Sequence, residues 1–389
     1  MMINMLLVGI DGGNNTIITS VEGKNPLIIP TVYSNYKEVQ DNFTKKSKSL
    51  QNSLDVEIEL NCKNNKTRKN LGRFLVGKLA KESEGSRVNV RSIGKSKSGD
   101  IGLLVCMLTS LAVVTVEHQN ITSGTLTQDI KMVTGLPYNQ YRTDHDSYIS
   151  QFIGCHKVIF RGQYNIEVEV NIVDVVVEVE GAGALNKLIV DDIYSEYSDE
   201  DLVDRAVLGI EVGEFTSEIL AIVFKEDEDG SIQPEYKANL CTGIDLGIAN
   251  AKQPIIELFR EKYQTIIDRY DIDLALSRTA RRGYIDFDAN ISEMNSLNII
   301  EPYSQQLQSL AESIAIIINN KIKNSGIRKG TIIHSLIYGG GACVLDYRFG
   351  NILKEKIDEI IGIKSSIAEN PHLSNSLGFL EKAKYVFED

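Results

Sequence analysis

The chain has 389 residues, a formal net charge of −12, 42% hydrophobic and 24% charged residues. That is enough for two or three domains around a large buried core. An acidic balance of this size excludes broad electrostatic binding to nucleic acid or to an anionic membrane surface. One local basic run, 63–73, contains no acidic residue. The five cysteines, Cys62, Cys106, Cys155, Cys241 and Cys343, are odd in number and not at zinc spacing, so they read as free thiols in a reducing compartment. No basic region followed by an apolar core and a small-residue cleavage site opens the chain, which points to a cytoplasmic protein with no membrane partner.

In chain order, Met5 to Ile10 is a short apolar run that enters the turn Asp11-Gly12-Gly13, and Thr16 to Val21 reads as the returning strand. Pro26 to Thr31, Leu54 to Leu60 and Gly72 to Ala80 carry strand-like residues, the second with clean alternation. Residues 81–100 are rich in Ser, Gly, Lys and Arg and read as an exposed loop. Ile101 to Val116 is free of charge but shorter than the ~20 residues a spanning helix needs, so a buried core helix is expected. Lys131 to Pro137 reads as a strand, and Ser147 to Ile153 as the start of a shorter element. Lys157 to Phe160 and Tyr164 to Val179 read as antiparallel strands of alternating Val, Ile and Glu. A helical pattern then starts at Gly181, and the acidic stretch Ser195 to Asp204 reads as a solvated loop.

The same order then recurs. Ala206 to Val212 and Glu218 to Phe224 read as strands around a second acidic-glycine turn, followed by a loop at Lys225 to Ser231 and a strand-like run ending at Thr242-Gly243-Ile244. Helical patterns cover Asp245 to Tyr270 and Asn298 to Lys323. Thr331 to Tyr338 reads as a buried strand entering Gly339-Gly340-Gly341-Ala342. Helices are expected over Val344 to Ile361 and Ser374 to Lys384. The halves share element order but negligible residue identity.

Three turns carry the chemistry: Val8 to Thr16, Leu208 to Ser217 and Ser335 to Ala342. A magnesium-bound triphosphate needs backbone amides that approach its oxygens closely, which glycine allows, and a carboxylate for a metal that keeps several waters. Asp11-Gly12-Gly13-Asn14-Asn15-Thr16 offers both, and Glu211-Val212-Gly213 repeats the pair. Taken singly, each turn also reads as an ordinary β-hairpin, Asp11 as a turn former, and Glu180 as one more outward charge of an alternating strand. The third turn follows a buried strand and precedes a helix, where backbone amides favour anions. Neither a Walker A lysine pattern nor a GxGxxG after a strand is present. The five histidines show no metal spacing.

In this order and spacing, the three turns resemble the nucleotide-binding motifs of the actin, Hsp70 and hexokinase superfamily. Phe74 to Ala80, Val133 to Pro137 and Asn370 to Gly378 further resemble the ParM/StbA-type plasmid-segregation actins. The resemblance implies an α/β, actin-like fold of two related domains, ribonuclease H-like duplicated βββαβα cores, around a nucleotide cleft. Domain I would span 1–181, completed by a C-terminal helix at about 362–389, and domain II 182–361. Gly181 to Ala184 and Asn375 to Gly378 would begin the two connecting helices.

It also implies an ATPase that binds ATP or ADP with Mg2+, with GTP as a second candidate. Such a protein polymerises with copies of itself and drives plasmid copies apart through a DNA-binding adaptor, without touching nucleic acid directly. By the same resemblance, Asp11 and Glu211 would hold the metal through water, and Gly12, Gly13, Asn14 and Asn15 would line the phosphates. Glu180 would position or activate the attacking water. Gly213 and Thr216 would close on the phosphates from domain II, with Gly243, Gly339, Gly340 and Gly341 bounding the nucleoside. The sequence departs from the family pattern where Glu211 and Glu218 replace aspartates and where Glu214 and Phe215 stand. A sugar or small-acid kinase of the same superfamily is the alternative; it would need a carboxylate base aimed at a substrate hydroxyl. A chaperone-like ATPase would need a separate substrate domain, and a structural protein with a decayed site would exploit the two glutamates. Polar loops at 37–52, 81–100 and 195–204 are the candidate polymerisation surfaces.

Overall fold

The computed structural model describes residues 5–36, 49–63, 66, 68–82, 88–89, 95–278, 284–286 and 296–388. The basic run at 63–73 and the expected loops at 37–52 and 81–100 lie partly outside the described residues.

The first strands are β1 (Leu6–Gly12), β2 (Thr16–Val21), β3 (Leu27–Pro30), β4 (Val32–Asn35), β5 (Asp55–Asn61) and β6 (Arg68–Val76). Then come α1 (Lys78–Glu82), β7 (Val88–Asn89), α2 (Ile101–Gln119), β8 (Ser123–Leu136), α3 (Tyr138–Ser150), β9 (Gly154–Phe160) and β10 (Asn165–Val179). After α4 (Ala182–Leu188), α5 (Tyr194–Glu196) and α6 (Asp199–Leu202) the pattern restarts with β11 (Ala206–Val212), β12 (Ser217–Glu226), β13 (Ile232–Tyr236) and β14 (Thr242–Ile244). The remainder is α7 (Ile248–Tyr263), α8 (Arg269–Arg278), β15 (Tyr284–Asp286), β16 (Ser296–Asn298), α9 (Ile300–Ser325), β17 (Ile332–Tyr338), α10 (Gly340–Ala342), α11 (Ile352–Ile361), β18 (Ser365–Ile367) and α12 (Ser374–Phe387).

The chain divides into two compact units, Met1–Tyr197 with Leu373–Asp389, and Ser198–His372. In the first, a ten-stranded sheet runs β3-β2-β1-β8-β10-β9-β5-β6-β4-β7. In the second, the main path of a six-stranded sheet runs β13-β12-β11-β17-β18, with β14 on β12. The first five strands of one path repeat the other: β1, β2 and β3 pair antiparallel, β1, β8 and β10 parallel, and β11, β12, β13, β17 and β18 do the same. The duplicated core expected from element order is therefore present, and its hairpins share a register. Asp11 faces Ile18 and Gly12 faces Ile17; Glu211 faces Glu218 and Val212 faces Ser217.

The near-continuous apolar run of β1 follows from cover on both faces, as parallel strands require. One face carries α2, buried from Gly102 to Val116. Asp100 starts this helix by accepting the Leu103 N–H at 3.0 Å. At 19 residues, with a mean hydropathy of 1.9, α2 is long and apolar enough to cross a membrane; 83% of that stretch is buried inside the protein, as a core helix would be. The other face carries α12. A Cβ on Gly9 would lie 2.2 Å from the Ser376 carbonyl oxygen and 2.3 Å from the Leu380 nitrogen, so glycine lets the helix rest on the strand backbone. Where α4 crosses α12, a Cβ on Gly378 would lie 2.1 Å from the Gly183 carbonyl oxygen. That crossing keeps α4 in the first unit, which runs to Tyr197 rather than to 181. Pairing of β18 with β17 keeps 365–367 in the second, so the first unit takes back 373–389 rather than 362–389.

Several local expectations are corrected. The strand expected over Gly72 to Ala80 is β6 ending at Val76 and then α1. The loop expected at 195–204 contains α5 and α6. The helix expected over Asp245 to Tyr270 is two helices, because Gln264 takes a left-handed conformation (φ 52°) that stops α7. The helix expected over Val344 to Ile361 begins as a wide turn at Cys343–Arg348 and restarts as α11 after Asn351 (φ 61°). All five cysteines are free thiols.

Candidate functional site

Parallel strands deliver their carboxyl ends to one edge of a sheet, where α/β folds place their ligands. In the first unit, β1 ends next to Asp11, β8 at Leu136 and β10 at Val179, so Asp11 and Glu180 come to the same edge. The Glu180 N–H donates to the Leu136 carbonyl at 2.8 Å, which carries the β8–β10 pairing one residue past the strand. Gly181 (φ 89°) then turns the chain into α4.

Asp11 and Glu180 share a cation that sequence reading missed. The Lys97 side chain is 1% exposed. Its ammonium donates to the Gly12 carbonyl at 2.7 Å and to Glu180 Oε1. Burial pushes the Asp11 carboxyl up to about 6; the Lys97 charge opposes that rise, Glu180 adds to it, and a hydrogen bond from Asn375 opposes it. Asn375 is 2% exposed and lies at the start of α12, inside the Asn370 to Gly378 stretch that carried the resemblance. Lys97 had no such signal, because nothing in a run of Ser, Gly, Lys and Arg marks which lysine is buried.

The turn after Asp11 is held by Thr31, whose hydroxyl donates to the Gly13 carbonyl at 2.8 Å and whose N–H donates to the Asn15 carbonyl at 2.9 Å. Glycine at 13 is a matter of space: a Cβ there would lie 2.6 Å from the Thr16 carbonyl oxygen. Asn14, Asn15 and Thr16 follow in the hairpin, so the β-hairpin reading of this sequence holds for its geometry.

In the second unit, β11, β17 and β18 end together in the same way, bringing Glu211, Gly213 and Thr216 to the edge that holds Gly339 to Gly341. Glu211 pairs across the hairpin with Glu218 and on its other side with Tyr338. All three are buried. Burial, reinforced by Glu211 and Glu218, pushes the Tyr338 phenol well above its ordinary value. Gly243 pairs with Glu218 on β14. The Gly213 N–H donates to the Thr216 carbonyl at 2.9 Å, and the Gly339 N–H to the Pro371 carbonyl at 2.9 Å. These two amides therefore shape the turns rather than point outward. A Cβ on Gly339 would lie 2.6 Å from the Val212 carbonyl oxygen and one on Gly341 2.4 Å from Val212 Cγ1; Gly340 faces open space.

Glu214 and Phe215, noted as departures, have structural partners. The Lys252 ammonium donates to both Glu214 oxygens at 3.0 and 3.1 Å and to Asp273 Oδ2 at 2.9 Å. The Arg269 guanidinium stands 4.3 Å from the Phe215 ring centroid. The α7 amides of Ile248 and Ala249 donate to the Gly213 and Glu214 carbonyls at 3.1 and 2.7 Å, so the second turn caps that helix. Among the described residues, no group of three or more His, Cys, Asp or Glu side chains could hold a metal directly. Magnesium needs only one or two carboxylates and keeps its waters. Asp11, a half-buried carboxyl that feels the charge of the Lys97 ammonium bonded to Glu180, fits that demand.

Residues 9–183 match the family model described as actin-like proteins, N-terminal domain. No curated protein matches the sequence. Among solved structures, the chain is similar to the subunit of a 15-stranded ParM filament from Clostridium botulinum, with 20% identity, 98% of this chain and 99% of that one covered and a TM-score of 0.73. It is similar to Bacillus thuringiensis ParM with AMPPNP at 16% identity, 98% and 99% coverage and a TM-score of 0.59. An archaeal actin homologue, Ta0583, in complex with ADP gives 15%, 98% and 100%, and 0.65.

Proposed function

The chain has the actin-like fold, and from that premise we propose that it is a filament-forming, ParM-type ATPase that works on magnesium-bound ATP, with GTP as a second candidate. Its duplicated sheets each bring an acidic-glycine hairpin to the carboxyl ends of parallel strands, and this observation carries the reading. ParM relatives with a nucleotide analogue and in a filament, and an ADP-bound archaeal homologue, support it.

In the first unit, Asp11 would hold the water shell of the metal, and Gly12, Gly13, Asn14 and Asn15 would line the phosphates. Glu180 orients the attacking water and accepts its proton. Magnesium, when bound, neutralises charge building on the phosphate oxygens. In the second unit, Glu211 would be the acid available to the metal's water shell, Gly213 and Thr216 would serve the phosphates, and Gly243 with Gly339 to Gly341 would serve the nucleoside. The biological role that follows is plasmid segregation in the cytoplasm, with copies of the same chain and a DNA-bound adaptor as partners.

The test couples phosphate release to light scattering, with and without ATP and magnesium, and adds electron microscopy. Polymer that forms with nucleotide alone supports the reading. Hexose-dependent ADP production without polymer replaces it with the kinase. Glu180→Ala is expected to keep assembly and to slow hydrolysis at least tenfold, giving longer-lived filaments; faster disassembly in that variant counts against the role of Glu180.

A further inference from the structure

Glu180 leaves its backbone with its Cγ close to Gly135, where an added Cβ would lie 3.1 Å away. Its main chain is fixed by Leu136. What orients its carboxylate is Lys97. That ammonium bridges two parts of the site, the Gly12 carbonyl of the first turn and the Glu180 carboxylate at the end of β10.

The bridge is delivered by a short segment clasped onto α3. The Lys97 N–H donates to Gln140 Oε1 at 3.0 Å, and the Gly99 N–H to Gln151 Oε1 at 2.9 Å. Ser98 and Ser147 share a hydrogen bond of 2.7 Å between hydroxyls, and Ser96 bonds Asp144. The Ser96, Ser98 and Gly99 anchors are exposed and the Lys97 N–H bond is part-buried, yet the side chain they carry is almost fully buried. Lysine is rarely buried unless paired. A long flexible stem with a compact charge reaches such a place at a desolvation cost that its partners must offset.

We propose that Lys97 is a positioning residue for hydrolysis: by tying Glu180 to the carbonyl of Gly12, it fixes the catalytic carboxylate relative to the phosphate-binding turn. The proposal rests on the ATPase reading above. On the hydrolytic step Lys97 acts through Glu180, so that part of its effect vanishes where Glu180 cannot do its work.

A double-mutant cycle tests this. Lys97→Met, Glu180→Gln and the double variant are compared in kcat for magnesium-ATP, in affinity for a fluorescent ADP analogue, and in urea unfolding midpoint without nucleotide. Lys97→Met is expected to lower kcat at least tenfold with ADP affinity changed less than threefold. In the Glu180→Gln background it is expected to change kcat less than twofold. The urea midpoint of Lys97→Met is expected to rise when Glu180→Gln is added, because the second change removes a buried acid that lost its partner.

Multiplying kcat losses, an unchanged kcat in Lys97→Met, or a midpoint that falls further in the double variant each overturn the proposal. Should Lys97→Met not fold alone, Gln140→Ala takes its place in the kinetic cycle, since it loosens the segment without removing a charge, and the same outcomes decide. Wild-type protein that hydrolyses no nucleotide refutes the ATPase reading itself, while wild-type hydrolysis with multiplying losses refutes only the role of Lys97.

Discussion

Replacing Lys252 with methionine isolates the ion cluster behind the second turn. The side chain is 1% exposed and faces Glu214, 10% exposed, and Asp273, 33% exposed. Both carboxylates hold the Lys252 amine charged, against the burial that would strip its proton, and its pKa is raised. Methionine fills much of the same volume, so the loss is electrostatic: two acidic groups remain without their cation, and Arg269, 3.9 Å from Glu214, compensates only in part. Breaking a buried pair by removing one partner costs ~3–5 kcal/mol, and the water reaching Asp273 sets the expectation at the lower end, ~3 kcal/mol. With a urea dependence of ~2–3 kcal/mol per molar, the midpoint moves down by about 1–1.5 M. Unfolding is followed by far-UV circular dichroism, with Glu257→Gln on the exposed side of α7 as the control. A midpoint shift smaller than about 0.3 M would refute the reasoning, since the cluster would then contribute no more than a surface ion pair.

Gly378→Ala places a methyl group 2.1 Å from the Gly183 carbonyl oxygen, so α4 and α12 must separate, at a cost of at least ~2 kcal/mol in urea unfolding. Gly340→Ala meets nothing within 4 Å and is expected to change stability by less than ~0.5 kcal/mol; equal effects of the two would sink the close-approach argument. Burial pushes the Asp346 carboxyl up to about 6 from 3.8, so the folded chain holds this proton more tightly than the unfolded chain. The resulting stabilisation is complete below pH ~4 and is lost as pH rises through ~6, at most ~3 kcal/mol in all. Asp346→Asn keeps one acceptor for the Leu353 and Lys354 amides at 3.1 Å. It should remove that share of the slope and leave the chain no less stable at pH 7; a loss above ~1 kcal/mol there would contradict the assignment.

The features legible in the sequence were those set by neighbours along the chain. Alternating strands, the two hairpins and the apolar α2 each show in a short window, and the repetition of their order shows once those windows are set side by side along the chain. Lys97 and Lys252 did not show, because a lysine is buried only when distant acids enclose it: Glu180 lies 83 positions from Lys97 and Glu214 38 from Lys252. The helix α3 escaped for a different reason. Of its 13 residues only Tyr148 is buried, so it lacks the apolar stripe that announces a helix. The break after α7 was hidden because Gln264, not glycine, takes the left-handed turn. The strand β18 is three residues long and is defined by its pairing with β17, not by its own pattern.

The shared register of the two hairpins gives the departure at Glu211 a physical meaning. Asp11 and Glu211 occupy equivalent places, but Asp11 faces Ile18 while Glu211 faces Glu218. Glu211 and Glu218 stand directly opposite on adjacent strands at 9% and 2% exposure, a placement that is unfavourable when both acids are ionised. The first hairpin sets Lys97 near its acid; the second sets two acids side by side, and where both are ionised a bound cation would lower the cost of that placement. Glu218→Gln is therefore expected to raise stability in chelator by up to ~1 kcal/mol. It should also shrink the gain in urea midpoint that magnesium nucleotide gives the wild-type chain. The measurement is a pair of urea titrations for each protein, one with chelator and one with magnesium and ADP. A Glu218→Gln chain that is less stable in chelator by more than ~1 kcal/mol, with an unchanged gain from magnesium nucleotide, would show that the glutamate pair serves the hairpin itself and has no part in holding the metal.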